Sequence, residues 1–468
     1  MAAMSRGPVT KHRAPKNTKS GTQSSRRHHF EGFSERVAKI KIEPVRRGRS
    51  TILDDAELSA SFSYFGDSLV EWRDLNISAA FSTFARQATP LSASLPLVLH
   101  HSDRIFALLV EYIEKGDKHS EEPFLGLLAH FAHDLGVQFE KYFGQAVKTV
   151  AQLAAKHPDV EVIEWSFTCM AWLFKFLSRL LVPDLRPVFD LMAPLLGKER
   201  QKAFVTRFAA ESLSFLLRKA GAMRHREKAP LYLITRHISD QLKELQGSGQ
   251  DHEFQRGIMT LFADSMKGVQ RGLHSSAVAI MEDLLWVTYH EDYVQCRIPP
   301  LEPVLIGTVT ALIHHSDAEH FRPLLACVLE HVEKVASDVR YVGLSSRLLF
   351  NICGVRMGNR IENWKPVLEV TSLLLDAVAN STVQKLPPMQ DCLSAIAVVF
   401  QSCPLDSAIP YVSVFERLAN GPWEDYFLPF CNLFAELGAN RFHTLLLPYF
   451  KRCVRHLVTA MLAYLLSW

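Results

Sequence analysis

The stretch FVTRFAAESLSFLLRK, Phe204–Lys219, decides the fold. Set on a helical wheel at about 100° per residue, Arg207, Glu211, Ser214 and Arg218 fall on one narrow line. Phe204, Val205, Phe208, Ala209, Ala210, Leu213, Phe215, Leu216 and Leu217 take nearly all of the remaining circumference. An ordinary surface helix carries a single apolar stripe, so this one must be covered on several sides. A solenoid meets that demand. Each helix packs on its hairpin partner and on the hairpins before and after, leaving a narrow wet edge. On this reading the polar line is that edge, and the Arg207–Glu211 pair adds only about a few tenths of a kcal/mol.

The same grammar runs outward in both directions. Amphipathic segments separated by short breaks of Gly, Pro, Asp, Asn or Ser predict helices over 66–87, 91–115, 122–134, 137–155, 160–181, 184–196, 199–219, 228–246, 252–270, 273–288, 300–314, 319–335, 337–353, 364–380, 388–402, 405–419, 425–437 and 441–467. No strand series competes. Helices pair across short breaks, as in LLACVLEHVEKVASD with VRYVGLSSRLLFNICG, and the pairs recur roughly every 35–45 residues. The expected fold is all-α: a HEAT/armadillo-like α-solenoid of antiparallel helix pairs spanning 63–468. RFHTLLLPYFKRCVRHLVTAMLAYLLSW ends inside an apolar helix without a polar closing layer, which predicts a solenoid truncated at its C-terminus.

Charge is unevenly placed. The chain has a net charge of +3, but residues 1–50 hold 13 Lys or Arg against three Glu, leaving a mildly acidic body. Residues 1–29 contain almost no large apolar side chain and are expected to form a disordered basic tail. Residues 30–62 then read as a docking segment and linker, with Phe30, Phe33, Val37, Ile40 and Ile42 as anchors between charges. Lys11, Arg13, Lys16, Lys19, Arg26, Arg27, Arg46, Arg47 and Arg49 form a cation that can neutralise phosphates without reading sequence, or be read as a nuclear import signal. A solvated tail with neither role is the plain alternative.

Other chemistry is sparse. Phosphate loops, nucleophile elbows and HExxH are absent from the sequence, which argues against an enzyme, a small-molecule substrate or a cofactor. His130, His133 and Asp134 in AHFAHDLG have helical spacing for metal ligands but lack a further ligand set, so the reading is no metal. Trp72, Trp165 and Trp172 read as interhelical packing residues whose acidic neighbours Glu71, Asp74 and Glu164 face water. The eight cysteines form no CxxC pair and most sit in apolar helical patterns, as buried reduced thiols do. No apolar run is long enough to propose a membrane span.

Six stretches together carry a resemblance: FEGFSERVAKIKIEPVRRG, EWRDLNIS, PFLGLLAHFAHDLGVQFEKYF, EWSFTCMAWLFKFLSRLLVPDL, RFAAESLSFLLRKAG and KGVQRGLHSSA. In this order they resemble the N-terminal part of the U3 small nucleolar RNA-associated protein twenty family, also called down-regulated in metastasis, best over about residues 30–275. The resemblance implies a HEAT-type, non-catalytic scaffold of the small-subunit processome in the nucleolus. Its implied partners are processome proteins, pre-rRNA and the U3 small nucleolar ribonucleoprotein, and its implied role is small-subunit biogenesis. Family members run several times longer than this chain. The alternative is a HEAT-type adaptor or nuclear transport receptor, although the seven Trp show no repeating array.

Overall fold

The computed structural model of the chain describes residues 30–40, 62–75, 78–117, 119–197, 202–222, 229–244, 252–266, 274–288, 301–354, 360–379 and 386–408. Among the described residues there is no strand. The helices are α1 Phe33–Lys39, α2 Tyr64–Asp74, α3 Ala79–Ala88, α4 Leu95–His100, α5 Ser102–Lys115, α6 Glu121–Leu135, α7 Glu140–Lys156, α8 Val160–Leu181 and α9 Arg186–Met192. They continue as α10 Ala203–Gly221, α11 Ala229–Glu244, α12 His252–Met266, α13 His274–Thr288, α14 Leu301–His315, α15 Ala318–Val335, α16 Val339–Cys353, α17 Lys365–Ala379, α18 Leu386–Ser402 and the short α19 Leu405–Ala408.

Local chemistry starts and stops these helices. The side chains of Asp159, Asp317 and Asp338 accept the N–H groups of Glu161, His320 and Arg340 at 3.0, 2.9 and 3.0 Å, filling orphan donors at the starts of α8, α15 and α16. Gly116 ends α5 at φ 67°, a left-handed conformation that glycine adopts without steric cost. Two expected helices divide. The span 66–87 breaks at Leu75, whose N–H turns back to the Trp72 carbonyl at 3.2 Å, and Ser78 starts α3 by accepting the Phe81 N–H at 3.0 Å. The span 91–115 becomes α4 and α5, with Pro96 in the first turn of α4 and a break at His101. The expected helices 425–437 and 441–467 lie outside the described residues.

From α5 to α18 the helices alternate between two layers. Odd-numbered helices pack on the odd helices before and after them, and even helices do the same. Neighbouring helices in sequence close antiparallel pairs across the interface, so the fold is an α-solenoid. Polar ties between successive even helices repeat the spacing: Arg218 of α10 donates to the Asp264 carbonyl of α12, 46 residues on. Thr308 of α14 donates to the Met259 carbonyl of α12 across 49 residues, and Arg347 of α16 reaches Glu302 across 45 and Asp391 across 44. The apolar core runs between the layers, from Phe65 and Phe131 through Phe167, Phe208 and Phe262 to Leu348 and Phe400.

The opening helix, α10, behaves as its composition demands, except along its polar line. Val205, Phe208, Ala209, Ala210, Leu213, Leu216 and Leu217 are buried against neighbours on several sides. The line expected to be a wet edge is mostly a contact. Only Arg207 is exposed; Ser214 is fully buried, and Glu211 and Arg218 are half-buried in hydrogen bonds to other elements. Arg218 is taken up by α12, and Glu211 by a visitor from the start of the chain.

Candidate functional site

Helix α1 lies against α8 and α10, two successive helices of the even layer. Seven residues are too few to hold a helix alone in water, so its order comes from the seat. The seat is aromatic. Phe33 is fully buried, its ring 6.0 Å from Phe174 of α8 and 5.6 and 5.4 Å from Phe208 and Phe215 of α10. Phe30 stacks on Phe204, with centroids 3.8 Å apart and planes within 8°. Ile40 is buried and Val37 is half-buried on the same core. Truncating Phe33 would remove about 3–5 kcal/mol of transfer and packing free energy, limited by what the docked state is worth.

Polar groups hold both ends of α1. At its N-terminus Glu211 Oε2 accepts the Phe33 N–H at 2.7 Å, while Glu211 Oε1 accepts Arg207 Nε at 2.8 Å. At its C-terminus Lys175 Nζ donates to the Val37 carbonyl at 2.8 Å and also to the Ile40 carbonyl. A carboxylate at the positive end and an ammonium at the negative end both favour the helix dipole. Gly32 enters so closely that a Cβ there would stand 2.5 Å from Glu211 Oε2.

Arg36 fixes the middle. It is 7% exposed, forms an ion pair with Glu164, and donates to the Glu164 carbonyl at 3.2 Å and to Thr168 Oγ1 at 2.6 Å. Burial pulls its pKa below the usual guanidinium value, and the Glu31 and Glu35 charges oppose that fall. Glu164 therefore does not simply face water beside Trp165, as the sequence suggests; it receives α1. Trp72, Trp165 and Trp172 do pack against the core.

The remaining sequence candidates resolve differently. Asp134 accepts from Ser63 Oγ, the Tyr64 N–H and the Phe65 N–H at 2.7, 3.0 and 2.9 Å, so its carboxylate caps α2. The His133 ring lies between Tyr64 and Phe176, with centroids 4.1 and 4.7 Å away. Burial lowers the pKa of both His130 and His133. Among the described residues no group of three or more His, Cys, Asp or Glu is placed to hold a metal ion. Cys169, Cys353, Cys392 and Cys403 are buried free thiols, and burial pushes the first three up to about 12. No described helix is long and apolar enough to cross a membrane. Lys11, Arg13, Lys16, Lys19, Arg26, Arg27, Arg46, Arg47 and Arg49 lie outside the described residues.

Sequence reasoning missed Lys175, Thr168 and Glu211 as receivers of the anchor segment. One signal was present: the Glu211 line is flanked by Phe204, Phe208 and Phe215, more aromatic surface than a wet edge tolerates.

No family model matches the chain. Among solved structures, a crystal structure of an engineered protein matches at a TM-score of 0.29 and 13% identity, covering 77% of this chain and 84% of its own. Curated relatives are nearer in sequence. U3 small nucleolar RNA-associated protein 20 of Schizosaccharomyces pombe is 30% identical over 444 residues, 94% of this chain and 17% of that protein. The protein of the same name from Saccharomyces cerevisiae is 30% identical over 382 residues, 81% of this chain and 14% of its own length. The chain thus spans less than a fifth of the relatives it matches. Along nearly all of its own length, it is related to a part of U3 small nucleolar RNA-associated protein 20.

Proposed function

We propose that this chain is an architectural, non-catalytic part of the small-subunit processome, acting in the nucleolus in ribosome biogenesis. The observation that carries the reading is the similarity to U3 small nucleolar RNA-associated protein 20 along 94% of the chain. The two-layer solenoid supports it, because stacked helix pairs offer long surfaces to several partners at once. Processome proteins, pre-rRNA and the U3 ribonucleoprotein are the proposed partners.

The proposed division is a basic tail at 1–29, a docking segment and linker at 30–62, and the solenoid from 63 onward. Lys11, Arg13, Lys16, Lys19, Arg26, Arg27, Arg46, Arg47 and Arg49 are the proposed RNA-contacting or import residues. Arg26, Arg27 and Arg46 flank the α1 segment closely in sequence. Seating α1 would thus tether cations from both sides of the segment to one place on the solenoid, concentrating charge for phosphate contact.

The test is to tag the protein in cells, crosslink it, purify it and sequence the attached RNA. Enrichment of small-subunit pre-rRNA or U3 RNA is expected, and it should drop when the nine cations are replaced by Gln. RNA at background, with a soluble cargo protein recovered stoichiometrically, would overturn the reading in favour of an adaptor.

A further inference from the structure

Beside the seat of α1 a second row of rings crosses the same layer. Phe62, just before α2, meets Tyr64 at 4.9 Å between ring centres; Tyr64 meets His133 of α6 at 4.1 Å, and His133 meets Phe176 of α8 at 4.7 Å. Trp172 closes the row 4.8 Å from Phe176. None of these rings is sealed in the core: Phe62 is 41% exposed, and the other four are half-buried. The row then runs into cations. At about 100° per residue, Arg179 lies within about 20° of Trp172 on α8, while Phe176 turns toward α6 and Lys175 toward α10. Burial, and then the charge of Lys219 on α10, pull the pKa of Lys175 down. Lys219 also stands 5.5 Å over the Phe215 ring.

Arg179 and Lys219 are exposed, and neither is ion-paired among the described residues. The carboxylates nearby are engaged or lie elsewhere. Asp134 is shared by three donors at the start of α2, Glu31 is held by Lys39, and Asp184 past the end of α8 pairs with Arg186 at 2.9 Å. Asp67, one turn into α2, lies toward His130. Helix α2 runs antiparallel to α6, since Asp134 meets its first residues while Gly126 faces Trp72, so Glu71 and Asp74 fall at the far end. Two unpaired cations beside a third call for an anion, and the rings at their edge call for a flat apolar group. A helix cannot fill the furrow between α8 and α10, because α1 already does. A single strand of nucleotides offers both groups at each step, a phosphate to pair and a base to stack, and needs no groove.

We propose that the strip from Phe62 across Trp172 to Arg179 and Lys219 binds single-stranded RNA, with bases stacking on Phe62 and Trp172 and phosphates meeting Arg179 and Lys219. This rests on the reading of RNA as a partner, and it adds a folded surface to the nine cations named above.

The experiment uses the full chain with those nine cations replaced by Gln, so that they cannot supply the binding, and a fluorescein-labelled 4-thiouridine oligonucleotide of about 12 nucleotides. Saturable binding is expected, with photo-crosslinks at Phe62, Tyr64 or Trp172. Phe62→Ala should weaken it at least about fivefold, the lower bound for one stacked base, and leave its salt dependence unchanged. Arg179→Gln with Lys219→Gln should weaken it and reduce the slope of log affinity against log salt by about 1.4, at about 0.7 per phosphate. Both variants alter exposed positions, and unchanged circular dichroism and thermal midpoint establish that they fold. Binding unaffected by both variants overturns the proposal, as do crosslinks confined to other helices. Competition by a polyglutamate peptide equal to that by unlabelled oligouridine also overturns it, because stacking then adds nothing and the surface takes acidic protein as readily. If only the protein with its nine cations intact binds, RNA remains a partner and the strip is wrong; if neither protein binds, the reading of RNA as a partner fails as well.

Discussion

Glu211 shows how much one side chain on α10 does. Its two oxygens hold Arg207 on one side and the Phe33 N–H on the other. Glu211→Ala removes both acceptors and leaves a part-buried donor, so it should weaken α1 docking by about 1–3 kcal/mol. Glu211→Gln keeps an acceptor and should cost less. Amide hydrogen exchange over residues 33–40 checks both, and equal protection in all three proteins would remove Glu211 from the account. Close packing nearby sets a second expectation. Ala209 is fully buried, so Ala209→Leu should overpack α10 at a cost of about 1–3 kcal/mol, read from the urea midpoint. A third concerns acid. Burial lowers the pKa of His130 and His133 and takes His331 down to about 4. Each takes up its proton later in the folded than in the unfolded chain, so stability falls as pH drops below about 6.5, and for His331 the fall continues toward 4. The depressed Asp103, Asp184 and Asp338 lose their share only below about pH 4, beyond this window. His331→Gln should therefore flatten the decline in urea midpoint between pH 6.5 and 4, and an unaltered slope would show that His331 carries none of it.

At the scale of elements, α1 is the exception in a molecule otherwise built from neighbours. Lys175 closes its C-terminal carbonyls and Glu211 its N-terminal amides, so the two charges act on one short helix from two different helices. Lys175→Met should leave those carbonyls weakly satisfied and lose about 0.5–2 kcal/mol of docking, and combining it with Glu211→Ala should be non-additive because both act on the same docked state. Limited proteolysis in the region following Ile40, quantified across the four proteins, reads the coupling. This element also marks the limit of what sequence displays. The helices of the solenoid were legible because burial on two or three sides leaves a wheel almost without polar residues, as in α10, and because Asp159, Asp317 and Asp338 announce their starts. The divisions within 66–87 and 91–115 were not, because a break at Leu75 or His101 depends on how α2 and α4 meet α6 rather than on a local glycine. The anchors Phe30, Phe33, Val37 and Ile40 stood out by spacing. Their receiving surface did not, since Thr168, Lys175 and Glu211 each read in the sequence as ordinary polar residues of a helix face.

For the whole molecule, the decisive quantity is the reach of its contacts along the chain. Ties between successive repeats join residues 44–49 apart, as at Arg347–Asp391 and Thr308–Met259. The contacts of α1 span 128–178 residues, from Arg36–Glu164 to Phe33–Glu211. A solenoid's stability is close to a sum of repeat and nearest-neighbour terms, so a change in one repeat fades within a few helices unless something bridges them. Among the described residues, helix α1 packs chiefly on α8 and α10. Deleting residues 1–40 uncovers Phe174, Phe204, Phe208 and Phe215, and should speed amide exchange in α8 and α10 and in the helices packed directly on them. Exchange in α14, α16 and α18 should stay as it was, because their ties run through Glu302, Arg347 and Asp391 and none touches the seat. Equal loss of protection from α8 to α18 would mean that the array folds as one cooperative block and that α1 stabilises all of it. The contrast is functional as well as structural. If the effect is local, a partner that draws α1 off its seat alters the surface at α8, α10 and the helices packed on them, and the distant α14, α16 and α18 keep theirs.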